Sequence, residues 1–215
     1  MDPLAIPSAG AALLLRLFIV QPFYLPAGSM MPTLEVSDYV FVDKTAYGYN
    51  RFSLSPLFEL PEAFWSRQAP ERGDIVVFRT PQDTSVDYVK RVIAIAGDRV
   101  QVTDGIVYLN GKALTQKRKG PYAGSDPAYA DAVIYVEALP SGRSYEIMDM
   151  GEFPDADNTQ EFVVPEGHFF VLGDNRDNSN DSRFTTGYVP YENLVGKFLV
   201  CVDYHGKRLK AKPLR

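Results

Sequence analysis

The sequence predicts a mainly β fold: an antiparallel β-sheet core, a smaller β-rich subdomain inserted into it, and a short apolar N-terminal segment. Short runs rich in valine, isoleucine, phenylalanine and tyrosine recur from residue 25 onward, separated by glycine, aspartate, asparagine and proline. After residue 25 a helical period is suggested only around 59–68. Asn110-Gly111 lies between two strand-like runs, which is the strongest short signal for a β-hairpin.

The expected strands and the division of the chain follow from these runs. We expect strands within residues 38–44, 73–79, 88–102, 106–114, 161–174 and 194–204. Residues 115–160 are polar and rich in turn residues, with weak strand signals, which indicates a more variable insertion. The chain is therefore divided into an N-terminal apolar segment (1–24), a first part of the core (25–102), an inserted cap subdomain (103–161) and a second part of the core (162–215).

Composition limits the classes of function. The chain has 215 residues, of which 46% are hydrophobic and 23% charged, so it has enough apolar material for a folded core. Its net charge of -5 argues against a nucleic-acid partner, because such proteins are usually basic. Cys201 is the single cysteine, which excludes an intrachain disulfide and any multi-cysteine metal site.

The N-terminal segment contains the apolar run AALLLRLFIV at residues 11–20. A membrane-spanning helix needs about 20 apolar residues, so this run does not span a bilayer by itself. Ala9-Gly10-Ala11 has the form of a signal-peptide cleavage site but precedes the apolar run, which is the wrong order. We expect the tail of a shortened membrane anchor or an apolar helix lying on a surface; an ordinary buried helix is the alternative.

Ser29, in PAGSMMPTL, is a candidate nucleophile that would need a base to take its proton. No acidic residue is obviously placed to orient His168 or His205, and His168 sits in a strand-like run where a structural role is expected. Lys90 lies among apolar residues in DYVKRVIAIAGD. Burial would lower the pKa of its amine, and the neutral amine would then accept the serine proton. The alternative is an edge-strand lysine that points to water.

The polar loop LGDNRDNSNDSRF, residues 172–184, has the acidic and amide density of a calcium site. Counted from Asp177, however, it lacks the glycine at position 6 and the glutamate at position 12 of an EF-hand. We therefore predict no metal here. A tight loop, in which Asp174, Asp181, Arg176 and Arg183 link neighbouring strands, is the interpretation that remains.

Four segments in order, GSMMPTL, RGDIVVF, DYVKRVIAIAGD and GDNRDNSNDSR, resemble the sequence boxes of the bacterial type I signal peptidases. These are Ser–Lys proteases that remove signal peptides from exported preproteins, and the resemblance covers about residues 21–102 and 161–204. It implies that Ser29 is the nucleophile, with its backbone N–H in the oxyanion hole, and that Lys90 is the general base. An acyl-enzyme intermediate is implied as well, with no metal and no organic cofactor.

The resemblance also implies roles around the dyad. Ser179 would hydrogen-bond and orient the Lys90 amine, while the pairs Arg91–Asp174 and Asp181–Arg183 would support the strands. The substrate would bind as an extended strand with small side chains at -1 and -3. The implied -1 pocket comprises Leu25, Met30, Leu34 and Tyr88. The implied -3 pocket comprises Phe23, Leu25, Val40, Val77 and Val89.

One position departs from many Gram-negative members, in which a serine two residues before the nucleophile assists the oxyanion hole. Here that position is Ala27.

The implied partners are signal-peptide-bearing preproteins and a phospholipid surface. The implied location is the bacterial cytoplasmic membrane, with the catalytic domain on its extracytoplasmic side. Two other functions stay open: a specialised Ser–Lys peptidase of related fold (plasmid-transfer or self-processing type) and a non-catalytic, membrane-attached binding module. The oligomeric state is open too.

Overall fold

The main sheet has seven antiparallel strands and carries both parts of the predicted core. The structure is a computed structural model that describes residues 16–54, 59–62, 68–124 and 126–202. Strands are numbered in chain order. Across the main sheet they lie in the order β1 (Val20–Tyr24), β2 (Tyr39–Asp43), β14 (Leu194–Val202), β3 (Ile75–Arg79), β4 (Asp87–Ile95), β12 (His168–Leu172) and β13 (Val189–Pro190).

Two smaller antiparallel sheets complete the β structure. The four-stranded sheet has the order β11 (Phe162–Val163), β5 (Arg99–Thr103), β6 (Ile106–Leu109) and β7 (Lys112–Ala113). The three-stranded sheet, here called the cap sheet, has the order β10 (Ser144–Asp149), β9 (Val133–Ala138) and β8 (Thr115–Pro121). Short helical turns occupy Pro127–Tyr129, Pro154–Asp157 and Tyr191–Asn193. None of the helices in the described residues is long and apolar enough to cross a membrane.

The mainly β fold class is confirmed, and so is the hairpin at Asn110-Gly111. These two residues join β6 to β7 with Leu109 opposite Lys112, and their φ angles are +54° and +76°. Two successive left-handed residues give the type I′ turn that matches strand twist. The segment 59–68, where a helical period was suggested, lies partly outside the described residues, since 63–67 are not described.

Three segments differ from the sequence prediction. The run 88–102 is two strands, because the chain turns at Gly97 (φ +85°) and passes from the main sheet into the four-stranded sheet. Residues 20–24, assigned to the N-terminal apolar segment, form β1 and pair with β2 at the edge of the main sheet. Residues 115–149, where a β-rich insertion was expected but no individual strand was predicted, form all three strands of the cap sheet. The first 15 residues lie outside the described part.

The centre of the main sheet is buried on both faces. Every residue from Ile75 to Phe78 in β3 is at most 1% exposed. Ile75 and Val77 pack into one apolar cluster, whereas Val76 and Phe78 pack into another, as expected for side chains that alternate across a strand. This double burial explains why the strand reads as a continuous apolar run, and it makes a rigid support for the residues of β4.

Candidate active site

Ser29 lies in the loop that joins β1 to β2. The base of the loop is closed by two backbone hydrogen bonds, from Leu25 N to Asp38 O at 2.9 Å and from Ser37 N to Leu25 O at 2.8 Å. Within the loop, Met31 N donates to Gly28 O at 3.1 Å, so that residues 28–31 form a tight turn. Ser29 is half-buried, and it is therefore fixed in position and still reachable from solvent.

The side chains of Ser29 and Lys90 meet. Lys90 Nζ is 2.6 Å from Ser29 Oγ, although the two residues are 61 positions apart. Lys90 is only 4% exposed, and burial lowers the pKa of its amine from 10.5 to about 8, while the charges of Asp181 and Asp174 act in the opposite direction. At neutral pH a fraction of the Lys90 side chains is therefore uncharged, and this amine lies against the Ser29 hydroxyl.

Both nearby carboxylates are neutralised by arginines. Arg91 Nε and Nη2 donate to the two Asp174 oxygens at 2.8 and 2.7 Å, and both side chains are at most 2% exposed. Arg183 Nε and Nη2 donate to the Asp181 oxygens, each at 2.9 Å. The two ion pairs expected from the sequence are thus present. Each carboxylate is paired with its own arginine. Burial, which lowers the pKa of Lys90, therefore has a larger effect than the two carboxylates, which raise it.

The hydrogen bond expected between Ser179 and Lys90 is not formed. Ser179 Oγ is buried and, within the described part of the chain, has no hydrogen-bond partner. The Lys90 amine is directed at Ser29 instead. Ser179 packs against Gly173, where a Cβ atom would overlap it and would also lie 2.5 Å from the Ser29 carbonyl oxygen. The absence of a side chain at Gly173 thus allows the two serine-bearing loops to approach each other.

Two further residues that the sequence did not single out hold the Ser29 loop. Thr33 Oγ1 donates to Asp174 Oδ2 at 2.5 Å. Asn175 donates through its backbone N–H to Ser29 O at 3.1 Å and through Nδ2 to Gly28 O at 3.2 Å. Both residues stand inside motifs that the sequence analysis quoted, but a motif alone does not reveal which distant residue each side chain contacts.

The cap sheet is joined to the loop of residues 172–184 by a buried ion pair that the sequence did not predict. Arg176 donates to Glu137 of β9 through Nη1 at 3.0 Å and Nη2 at 2.5 Å. Tyr145 of β10 donates to the same carboxylate at 2.6 Å, and the Arg91 guanidinium lies 4.0 Å from the centre of the Tyr145 ring. Gln116 Nε2 adds a fourth hydrogen bond to Glu137, at 3.0 Å. The cap sheet and the loop of residues 172–184 therefore share one buried polar network.

Apolar residues expected to form the substrate pockets lie together beside Ser29. Those in one buried cluster are Leu25, Met30, Leu34, Val40, Val77 and Val89, with Phe23 packed against it. Leu25 and Val89 retain 7% and 8% exposure, whereas Val40 and Val77 are fully buried. Tyr88 belongs to a different cluster, and its ring centre lies 4.9 Å from Lys90 Nζ. The structure thus places the ring of Tyr88 beside the Lys90 amine.

His168 begins β12 opposite Pro190, and its Nδ1 lies 2.8 Å from the carbonyl oxygen of Glu166. This is a local backbone contact, as expected for a structural position. His205 lies outside the described residues.

Comparison with known proteins places this chain in a family. The family described as "Signal peptidase, peptidase S26" matches residues 3–202. The chain belongs to the S26 signal peptidases. The signal peptidase I of Rickettsia typhi is 44% identical over 195 residues, covering 86% of this chain and 73% of that protein. The protein of Rickettsia akari is 43% identical and covers 86% and 72%.

A solved structure of a signal peptidase I from Enterococcus faecalis V583 is 28% identical and covers 60% of this chain and 96% of that one, with a TM-score of 0.36. As a member of the S26 signal peptidases, the chain is a serine protease that hydrolyses peptide bonds to remove signal peptides from preproteins.

Proposed function

We propose that this signal peptidase works through a Ser–Lys dyad, with Ser29 as the nucleophile and neutral Lys90 as the general base. The supporting observation is the 2.6 Å contact between the Lys90 amine and the Ser29 hydroxyl at a site where Lys90 is 4% exposed. A general base must lie within hydrogen-bond reach of its proton and have a pKa near the working pH. Lys90, with a pKa of about 8, meets both requirements.

The reaction then proceeds in two halves. Lys90 takes the Ser29 proton as the oxygen attacks the carbonyl carbon of the scissile peptide, and the oxyanion accepts a hydrogen bond from the Ser29 N–H. The lysine ammonium gives its proton to the leaving amine, which is the new N-terminus of the mature protein. The signal peptide remains as an ester on Ser29. Neutral Lys90 next takes a proton from water, whose oxygen hydrolyses the ester and regenerates the hydroxyl.

For Ser179 we propose a role at the moment when Lys90 is charged. The ammonium has three donors and needs acceptors when it is buried. Ser179 Oγ is a buried oxygen without a partner among the described residues, on the loop that also carries Asp181. Replacing Ser179 by alanine is expected to lower kcat and to shift the pH midpoint of cleavage downward, because the charged amine loses an acceptor.

We also propose that the substrate binds as an extended strand along the unpaired part of β4, with a small side chain at -1. Strand β4 pairs with β3 over residues 87–91 but with β12 only over residues 91–95. Among described strands none covers the second edge of residues 87–90, so an extended substrate has backbone groups to pair with beside Lys90. Leu25 and Val89 would contact the -1 and -3 side chains, while fully buried residues such as Val40 and Val77 would form the floor beneath them.

We further propose that the protein acts at the bacterial cytoplasmic membrane, with this site on the extracytoplasmic side. Large apolar side chains are exposed on and next to three adjacent strands, β1, β2 and β14: Phe18, Ile19, Tyr24, Tyr39 and Leu199. The rings of Tyr24 and Tyr39 lie 5.5 Å apart. Aromatic residues with a polar tip favour the lipid–water interface, so this surface suits contact with phospholipid headgroups.

The test is cleavage of a preprotein with an Ala-x-Ala site in the presence of phospholipid vesicles. The parent should cut after the -1 alanine, whereas Ser29→Ala and Lys90→Ala should be inactive. Lys44→Met is a matched control, because Lys44 is also buried and its pKa is lowered to about 8 by burial and by Arg16. Its amine, however, donates to the Leu17 carbonyl oxygen and not to Ser29. Full activity of Lys90→Ala, or equal loss in Lys44→Met, would contradict the dyad.

A further inference from the structure

Asn175, in the turn after β12, contacts the chain on both sides of the nucleophile. Its Nδ2 donates to the Gly28 carbonyl at 3.2 Å, and its backbone N–H donates to the Ser29 carbonyl at 3.1 Å. The residue is fully buried. The opposite amide orientation would set Oδ1 against the Gly28 oxygen, two acceptors facing each other. Asn175 therefore acts as a donor to Gly28.

The contact with Gly28 also fixes the N–H of Ser29. The Gly28 carbonyl and the Ser29 N–H belong to one planar peptide group, so orienting one of them orients the other. Met31 N donates to the same carbonyl at 3.1 Å, and together the two donors occupy both lone pairs of the oxygen. Hydrogen bonds to a carbonyl polarise its peptide group, which makes the opposite N–H a stronger donor.

The Ser29 N–H is free for an oxyanion. In the described part of the chain no acceptor is paired with it. Ala27, two residues earlier, carries no side-chain donor that would share the task. The peptide is also closely packed: a Cβ atom on Gly28 would lie 2.7 Å from Met31 Sδ and 2.9 Å from the Tyr129 hydroxyl. A small rotation of this peptide is therefore restrained by packing and by Asn175 together.

We propose that Asn175 is a positioning residue of the oxyanion hole. It holds the Gly28–Ser29 peptide so that the Ser29 N–H points to where negative charge develops on the scissile carbonyl oxygen. The inference rests on the proposed Ser29 chemistry and extends it to a residue 146 positions further along the chain. Asn175 acts through the peptide group and does not touch the substrate.

The experiment compares Asn175→Ala with Asn193→Ala. Asn193 is a matched control, since it is also a buried asparagine that donates through Nδ2 to a backbone carbonyl, that of Arg79 at 2.9 Å. Each variant is assayed for kcat, KM and the pH midpoint with an Ala-x-Ala substrate. Each is also titrated with a peptide aldehyde ending in alaninal, which forms a tetrahedral adduct with Ser29, and with the same peptide as a primary amide.

We expect Asn175→Ala to lower kcat about 10- to 100-fold, since full loss of an oxyanion donor costs about 10² to 10³ in kcat. The affinity for the aldehyde should fall by a similar factor, while KM, the pH midpoint and the affinity for the amide stay unchanged. Asn193→Ala should keep the parent values throughout. If Asn175→Ala fails to fold, as judged by circular dichroism, Asn175→Leu, which keeps the branched shape of the side chain without its polar atoms, takes its place.

Three results would overturn the inference: parent-like kcat in the variant, equal losses of affinity for aldehyde and amide, or a shifted pH midpoint with full activity restored above it. The last would mean that Asn175 acts on Lys90. Failure of the underlying Ser29 chemistry looks different, because then the parent itself would bind the aldehyde no more tightly than the amide.

Discussion

Replacing Lys90 with methionine should abolish cleavage and make the protein more stable at neutral pH. Methionine keeps the length and most of the volume of the side chain but carries no charge. In the parent, folding places a Lys90 ammonium where it is 4% exposed and where burial lowers its pKa from 10.5 to about 8. The folded state therefore binds the proton less tightly than the unfolded state, and folding at pH 7 carries a cost that methionine removes.

The size of this effect follows from the two pKa values. They lie about 2.5 pH units apart, and each unit corresponds to about 1.4 kcal/mol, so the cost well below pH 8 is about 3–4 kcal/mol. Losing the hydrogen bond to Ser29 offsets about 1 kcal/mol of the gain. Lys90→Met should thus raise the free energy of unfolding by about 2–3 kcal/mol at pH 7. Between pH 8 and 10.5 the stability of the parent rises, so the difference should shrink.

Urea unfolding at pH 7 and pH 10 measures both parts of this prediction. Lys197→Met is the control, because Lys197 Nζ lies 2.8 Å from Asp74 Oδ1 and its removal breaks an ion pair without relieving a buried, unpaired cation. That variant should be no more stable than the parent. An Lys90→Met protein that is equally or less stable at pH 7, or whose advantage persists at pH 10, would refute burial as the cause of the lowered pKa.

Three other predictions address turnover, pH dependence and the cap. Ala27→Ser should raise kcat on the order of tenfold by adding an oxyanion donor, and an unchanged or slower variant would speak against this. The acylation rate should rise about tenfold from pH 6 to pH 7 and reach half its maximum near pH 8, as Lys90 loses its proton; a flat profile would exclude Lys90 as the base. Glu137→Gln should lower the free energy of unfolding in urea by about 3–5 kcal/mol, because buried Arg176 is left without its counter-ion. Glu146→Gln, which breaks an exposed pair with a lysine, should lower it by less than about 1 kcal/mol. Equal losses in the two variants would contradict the buried-pair argument.

The residues by themselves made Ser29 and Lys90 only candidates, and the resemblance of four segments to the type I signal peptidases is what implied their pairing. A serine after a glycine and a lysine within a run fit for burial are both visible in a few letters. What joins them is the main sheet, which brings positions 29 and 90 together. The pairings Arg91–Asp174 and Asp181–Arg183 were implied by the resemblance to the type I signal peptidases, and both ion pairs are present in the structure.

The supporting contacts were not predictable, since they depend on how distant segments pack. Asn175 reaches Gly28 across 147 positions, and Arg176 reaches Glu137 across 39. Local sequence does not encode such distances. The insertion was predicted to be β-rich, but its individual strands were not placed, for a related reason: β8 is almost wholly exposed and reads TQKRKGP, so its strand conformation comes from pairing with β9 and not from its own pattern.

The pairing of Glu137 with Arg176 also sets a rule for building chimeras of this protein. The arginine belongs to the loop that carries Ser179 and Asp181, but its counter-ion is supplied by the inserted cap. An insertion grafted from another protein would leave the buried Arg176 guanidinium without a counter-ion unless it brought a carboxylate to the position of Glu137. Exchanging the cap together with the 173–183 loop, or replacing Arg176 with an apolar residue at the same time, removes that mismatch. Cap and loop are therefore a single exchangeable module, although the two lie in different parts of the chain.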